Sequence, residues 1–266
     1  MSGLDTEGTV MQENDQVAEL AQWFKTAASV VVLTGAGMSA ESGIPTFRDA
    51  QNGLWSRFDP EDLATARAYQ NDKALVWGWY VWRMAMVRAA LPNAGHSALA
   101  ELAAIKPGLS IITQNVDDLH ERAGSKEIVH LHGSLFASRC FACGRPNEDV
   151  HIPPDAAEKP SLHLMPPRCT HCGGYVRPGV VWFGERMPEL AWRKAERWVA
   201  GCDLLVAIGT SGLVFPAASL PGVAKQRGAK VVEINPTETQ LSDQADLSLR
   251  CTAGEALSGL LAALRA

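Results

Sequence analysis

Four of the six cysteines stand in two Cys-x-x-Cys pairs, Cys140-Phe141-Ala142-Cys143 and Cys169-Thr170-His171-Cys172, with 25 residues between the pairs. Each pair sets two thiolates on one side of a tight turn, and two pairs close a tetrahedral shell of four sulfurs around one zinc ion. A closed shell has no open position, so the expected zinc is structural. His163 and His171 lie nearby in sequence and could stand in as ligands, although a spare neutral histidine is the simpler reading. Cys202 and Cys251 read as small core residues.

A second group could carry acid–base chemistry. His130-Leu131-His132-Gly133 ends one apolar run, and Gln114-Asn115-Val116-Asp117 ends another. A histidine titrates near neutral pH and can act as a general base, and the neighbouring amide and carboxyl groups supply fixed hydrogen bonds. Strand alternation puts His130 and His132 on the same side. A third group, Gly35-Ala36-Gly37-Met38-Ser39-Ala40, follows an apolar strand and fits G-x-G-x-x-[G/A]. Such a turn lets backbone approach a pyrophosphate, with the start of the next helix supplying N–H groups. The strand-end acid of dehydrogenases, expected about 20 residues on, is missing, which speaks against hydride transfer.

These groups need strand ends to hold them. Residues 16–26 form an amphipathic helix, with Val17, Leu20, Ala21 and Phe24 on one face. Strands are expected at 29–33, 109–113, 128–131, 203–208 and 230–234, and helices at 74–90, 96–105, 117–123, 190–200, 217–227 and 253–264. Strands alternating with helices imply an α/β fold, a Rossmann-like doubly wound parallel sheet, whose ligands sit beyond the carboxyl ends of the strands. Residues 16–48, 93–133 and 181–266 are assigned to that domain. A smaller inserted domain takes a helical part, 49–92, and a zinc-binding module, 134–180, which has little periodicity and looks stapled by metal more than by a core.

The chain has 266 residues, a net charge of -5, 47% hydrophobic and 20% charged residues, the profile of a folded soluble protein. An acidic balance leaves nucleic acid and anionic membrane as poor partners, and no apolar run approaches the roughly 18 residues that span a bilayer. Residues 1–15, polar and acidic, are expected to be a flexible tail without the features of a secretory signal. A cytoplasmic monomer is the resulting expectation.

Taken in order, the motifs resemble the sirtuin family of NAD-dependent protein deacylases. The run from Gly35 to Arg48 resembles its NAD-binding signature. Thr113-Gln114-Asn115-Val116-Asp117, His130 to Gly133, the four-cysteine module, Val181-Trp182-Phe183-Gly184-Glu185, Gly209-Thr210-Ser211 and Asn235 follow in the family's order, over about residues 17–264. Met38 stands where the family usually has Ile. The resemblance implies NAD+ as co-substrate, one structural Zn2+, and acyl-lysine proteins or peptides as partners. The acyl oxygen attacks C1′ of the nicotinamide ribose, and the products are free lysine, nicotinamide and 2′-O-acyl-ADP-ribose. His132 is the implied base, with Asn115 and Asp117 as catalytic partners. Gly35, Ala36, Gly37, Ser39, Ile44, Phe47, Arg48, Gln114, Asn115 and Asp117 are implied at the phosphates and nicotinamide. Gly209, Thr210, Ser211, Asn235, Pro236, Thr237 and Ala253 are implied at the adenosine end. Val181, Phe183 and Gly184, with Leu213, Val214 and Phe215, are implied to pair with the peptide as added strands.

Tyr80 and Arg83, three residues apart on an expected helix, share a face. Alone they read as a packed Tyr and a snorkelling Arg. Within the family they resemble the Tyr-x-x-Arg of the desuccinylase branch, where an Arg fork binds a carboxylate at the far end of the acyl chain. Ala64 fits that branch by leaving room for a longer chain. Succinyl- and malonyl-lysine, with acetyl-lysine, are therefore the expected substrates. The alternative activity is NAD-dependent protein mono-ADP-ribosylation, in which a protein side chain intercepts the same ribose.

Overall fold

A computed structural model of the chain describes residues 13–45, 58–59, 63–147 and 150–266. Six parallel strands form the main sheet: β1 (Val30–Thr34), β2 (Leu109–Thr113), β3 (Ile128–His130), β6 (Leu204–Ile208), β7 (Lys230–Ile234) and β8 (Leu247–Leu249), in the order β3-β2-β1-β6-β7-β8. Every residue of β1 and β6 is buried, which is why both read as unbroken apolar runs: a central parallel strand is covered on both faces. Alternate side chains divide between two cores. Val30, Val32, Leu204 and Val206 face one apolar cluster with Leu20, Leu99 and Leu257, whereas Val31, Leu33, Leu205 and Ala207 face another with Ala195, Val199 and Leu220. Helices α1 (Glu13–Thr26), α5 (Ala94–Ile105) and α9 (Ala253–Arg265) cover the first face; α7 (Glu189–Ala200) and α8 (Leu220–Gln226) cover the second.

The strands also stop together. Thr34 is in register with Thr113 and Ile208, Thr113 with His130, and Ile208 with Ile234. Gly35, Gln114, Leu131, Gly209 and Asn235 are therefore the first residues past one common edge. The strand order reverses between β1 and β6, so the crevice of the doubly wound fold opens there.

Above this edge sits a second layer. Strands β4 (Gly133–Cys140) and β5 (Val176–Val180) pair antiparallel, and helices α3 (Ala66–Asn71) and α4 (Lys73–Ala89) pack on them through Tyr69, Trp79, Tyr80, Met84, Leu135 and Trp182. The expectation of a module with little core is thus corrected: the cysteine segment contributes two strands to an apolar cluster. β4 buries irregular positions, and aromatic side chains that complete the cluster come from α3 and α4, far away in sequence. The expected helix at 217–227 also divides, into a 3-10 turn (Ala217–Ser219) and α8, which carries Pro221 in its first turn. Strand β8 is an addition to the expected set. Among the described residues no helix is long and apolar enough to cross a membrane.

Candidate active site

At the crevice the two facing strand ends touch through their backbones. Gly35 N–H donates to the Ile208 carbonyl and Gly37 N–H to the Gly209 carbonyl, both at 2.9 Å. A Cβ on Gly35 would lie 2.7 Å from the Gly209 oxygen, one on Gly37 would lie 2.7 Å from the Gly209 Cα, and Gly209 itself holds φ at +59°. The three glycines are required first by this contact between chain segments. The helix that follows, α2 (Gly37–Ala40), is one turn long. The amides of Gly37, Met38 and Ser39 are already bonded to Gly209, Gly35 and Ala36. The turn is thus closed on itself and on Gly209, and it presents Gly35, Ala36 and Gly37 to the cleft.

A cleft of about 1470 Å³ opens over these strand ends, lined by Gly35, Ala36, Gly37, Ser39 and Ile44 on the β1 side and by Gly209, Thr210, Ser211, Asn235 and Thr237 on the other. That exceeds the usual few hundred to about 1,000 Å³ of small-molecule pockets and suits a dinucleotide with part of a peptide. The far end is polar: Gln114 Nε2 donates to Thr210 Oγ1 at 2.9 Å, and Asn235 Nδ2 to the Thr210 carbonyl at 3.2 Å. Glu238, Thr239 and Gln240 line it too, and sequence reasoning missed them. They belong to a loop held from below by buried Glu233, which accepts from Ser242 at 2.7 Å and from Arg250 at 2.6 Å. Pro236 and Ala253 do not line the cleft; Ala253 is packed in the first core at the start of α9. Phe47 and Arg48 lie outside the described residues.

The polar centre is built on the end of β2. Asn115 Nδ2 donates to Ser39 Oγ at 3.1 Å, and Ser39 Oγ donates to Asp117 Oδ2 at 3.0 Å. The Leu119 amide holds the other carboxylate oxygen at 3.1 Å, and Thr113 Oγ1 accepts from the Asn115 amide at 3.0 Å. Burial raises the Asp117 carboxyl above its ordinary value, against those hydrogen bonds.

His132 lines the cleft beside them, its Nδ1 3.1 Å from the Gln114 carbonyl. A carbonyl can only accept, so Nδ1 carries the hydrogen and Nε2 is the basic nitrogen. Burial lowers the imidazole below its ordinary 6.5, which keeps it neutral at pH 7. His130 makes the equivalent bond to the Asn115 carbonyl at 3.1 Å, and its Nε2 lies 2.7 Å from Glu121. Burial opposes charge on it, but the Glu121 carboxylate prevails and raises it. The strand ends at His130, so the expected shared strand face does not hold: His132 is a cleft residue, and His130, outside the lining, belongs to an ion pair.

Across the cleft, Tyr80 and Arg83 project from α4 into the lining. The Tyr80 hydroxyl accepts from Trp182 Nε1 at 2.9 Å, and the Arg83 guanidinium lies over the Trp79 ring at 4.9 Å and the Tyr80 ring at 5.9 Å. Buried Ala64 lies in the same wall, its carbonyl taking the Phe183 amide at 2.9 Å. The Val181 amide is likewise taken by the His132 carbonyl at 2.8 Å. Val181 and Phe183 can therefore offer an incoming strand only their carbonyls. Phe183 is 46% exposed and Phe215 74% exposed, with Leu213 and Val214 also on the surface. These apolar side chains on the two lips of one cleft mark a surface built to be covered.

The four paired cysteines converge at the end of β4. Their sulfurs all lie within 4.8 Å of one another, with Cys140 to Cys172 at 3.5 Å and Cys143 to Cys169 at 3.9 Å. Tetrahedral zinc at about 2.3 Å from each sulfur spaces them by roughly 3.8 Å, so the cluster fits a structural zinc site. Each knuckle closes identically, Gly144 N–H to the Cys140 carbonyl at 3.0 Å and Gly173 N–H to the Cys169 carbonyl at 2.9 Å. Gly144 and Gly173 both adopt φ near +70°. His163 and His171 are not in this set, and Cys202 and Cys251 are buried in the two main cores.

A parallel sheet with a crevice at its reversal, a lone cleft histidine and a four-thiolate module define an α/β protein of the dinucleotide-binding class. Residues 35–216 match the Sir2 family. The chain is 51% identical over 249 residues to an NAD-dependent protein deacylase of Methylococcus capsulatus, across 93% of this chain and 96% of that protein. It is 51% identical over 235 residues to NAD-dependent protein deacylase 1 of Pseudomonas aeruginosa, across 88% and 94%. Among solved structures it is similar to a Sir2 homologue in complex with NAD, with TM-score 0.85 and 46% identity across 98% of this chain and 96% of that one. A mutant Sir2 homologue in complex with 2′-O-acetyl ADP ribose gives TM-score 0.84 and 47% identity across 93% and 96%. The chain belongs to the Sir2, or sirtuin, family.

Proposed function

We propose that the chain is an NAD-dependent protein-lysine deacylase that removes acetyl, succinyl and malonyl groups, giving free lysine, nicotinamide and 2′-O-acyl-ADP-ribose. The observation that carries this is His132: a neutral imidazole with a bare Nε2, in the lining of a dinucleotide-sized cleft beside Asn115 and Asp117. NAD+, when bound, supplies a ribose carbon made electrophilic by a departing nicotinamide. Asn115, Ser39 and Asp117 form a preset hydrogen-bonded row that orients that end, and positioning of this kind accounts for much of enzymatic rate. Gly209, Ser211, Asn235 and Thr237 hold the adenosine end. His132 Nε2 takes up a proton. Phe183 and Phe215 cover the peptide and exclude water.

In this proposal residues 16–48, 93–133 and 181–266 bind the nucleotide, while 49–92 and 134–180 form the small domain, with Cys140, Cys143, Cys169 and Cys172 holding zinc. The protein works as a cytoplasmic monomer; four thiolates gathered for a metal suit a reducing compartment. Acylated proteins are its partners.

Tyr80 and Arg83 extend the proposal to acyl chains that end in a carboxylate. Their place in the cleft wall beside Ala64 supports it, because an Arg fork there gives charge-assisted bonds that acetyl cannot use. The test is a panel of acetyl-, malonyl- and succinyl-lysine peptides with wild-type protein and Arg83→Met. Succinyl and malonyl activity should fall at least tenfold more than acetyl activity. An equal fall, or none, rejects the clamp, and no activity on any peptide rejects the deacylase.

A further inference from the structure

Trp182 sits between the zinc-bearing hairpin and the acyl wall, and its surroundings fix it. Arg177 on β5 lies 3.4 Å from the centre of the indole ring, and is itself held by Glu185, by the Val180 carbonyl at 2.8 Å and by the Pro178 carbonyl at 3.2 Å. Glu185 also takes the Trp182 backbone amide at 2.9 Å. Tyr69 packs at 5.4 Å and Phe141 at 6.2 Å between ring centres. The indole is fully buried and cannot turn without breaking this set.

What the fixed ring does follows from donor and acceptor rules. Indole N–H is a donor only. At 2.9 Å it therefore fills a lone pair of the Tyr80 oxygen, and the Tyr80 hydrogen must point elsewhere. Among the described residues no acceptor takes that hydrogen. A hydroxyl that accepts a hydrogen bond is also a better donor through its own hydrogen. The hydroxyl is on the cleft wall, three residues before Arg83 on the same helix.

We propose that Trp182 is a positioning residue for acyl groups ending in a carboxylate: its indole N–H orients the Tyr80 hydroxyl so that the hydroxyl donates to the carboxylate that Arg83 binds. This rests on the carboxylate-clamp reading of Tyr80 and Arg83. Arg177 and Glu185 enter only by holding the ring, so the hairpin that carries the zinc also sets acyl selectivity.

The test uses one peptide sequence carrying either succinyl- or acetyl-lysine, saturating NAD+, and separate measurement of KM and kcat for wild type, Arg83→Met, Tyr80→Phe, Trp182→Phe and the Tyr80→Phe/Trp182→Phe double variant. Tyr80→Phe should raise the ratio of succinyl KM to acetyl KM about tenfold, the usual size of one hydrogen bond to a charged group. Trp182→Phe should raise the ratio about fivefold, because the hydroxyl remains but loses its direction. The double variant should match Tyr80→Phe alone, since Trp182 acts only through the Tyr80 hydroxyl. If Trp182→Phe does not fold, 3-benzothienylalanine at position 182 keeps the bicyclic ring without the N–H and makes the same comparison. Equal changes in both KM values, or ratios that multiply in the double variant, overturn the proposal. If Arg83→Met raises the ratio and the position-182 variant does not, the clamp stands and the role of Trp182 falls. If Arg83→Met leaves the ratio unchanged, both fall.

Discussion

Beneath the polar centre lies a pair of histidines that should make the fold sensitive to mild acid. His96 and His120 are 0% and 1% exposed, with ring centres 4.9 Å apart. His120 Nε2 meets Thr34 Oγ1 at 3.1 Å, and Thr34 Oγ1 donates to Thr113 Oγ1 at 2.8 Å, so His120 supports the ends of β1 and β2 directly. His96 Nε2 and His120 Nδ1 are buried with no hydrogen-bond partner. Burial takes His96 down to about 4; burial and then the charge of His96 take His120 to about 3. Unfolded, each returns to about 6.5. The unfolded chain therefore binds protons that the folded chain refuses, and stability is complete above about pH 6.5 and declines as pH falls towards the folded values. At pH 5 the solution is about 1.5 units below the unfolded value while both folded histidines are still neutral, which costs about 2 kcal/mol apiece and about 4 kcal/mol for the pair. That is a large part of the 5–15 kcal/mol typical of a folded protein. Other groups confuse this window little. The carboxylates lowered by their partners, such as Glu185 and Glu233, titrate at lower pH, and the raised His130 adds stability as pH falls through its folded value, in wild type and variant alike. Asp117, raised by burial, acts in the opposite sense, and the zinc thiolates lose stability with acid; both act on wild type and variant alike. The assay is urea denaturation at pH 7.5 and 5.0 for wild type and His120→Asn. The variant should lose about 2 kcal/mol less than wild type between the two pH values. An identical loss in both proteins refutes the reasoning.

Further outcomes follow from the same geometry. His132→Asn should lower kcat/KM by about 10²–10⁴ while zinc content and circular dichroism stay as in wild type. In wild type, the acid limb of the kcat/KM profile should fall below pH 6.5, because burial lowers His132 and the base works only when neutral; a limb above 6.5 would contradict this. Gly37→Ala brings a Cβ to 2.7 Å from the Gly209 Cα and should cost about 1–3 kcal/mol of stability and weaken NAD+ binding by calorimetry. Removing zinc with a chelator should loosen β4 and β5 and abolish activity, with the amides of β1 and β6 remaining the best protected in hydrogen exchange.

What could be read in advance depended on how local each feature is. β1, β2 and β7 were legible because their burial follows from their own apolar residues, and β2 spans Leu109–Thr113 as expected. The four-cysteine cluster was legible because spacing alone dictates its geometry. β4 and β5 were not: Gly133–Cys140 mixes exposed and buried positions, and its apolar partners come from α4. Three parts of the site escaped for the same reason. The glycine turn is legible as a motif, but its close contact with Gly209 is not. Trp182 gains its meaning from Tyr80, 102 residues away. Glu238 and Gln240 stand in a turn whose residues carry no pattern, part of a loop that the buried Glu233 helps to fix.

The most direct test of the account is to identify both products. Protein, NAD+ and a peptide with a single acetyl-lysine or succinyl-lysine are incubated and analysed by mass spectrometry. The account predicts a peptide that has lost its acyl group and a nucleotide product with the mass of acyl-ADP-ribose, formed in equal amounts with nicotinamide. A peptide that keeps its acyl group while ADP-ribose appears on protein side chains, or formation of NADH, would contradict it.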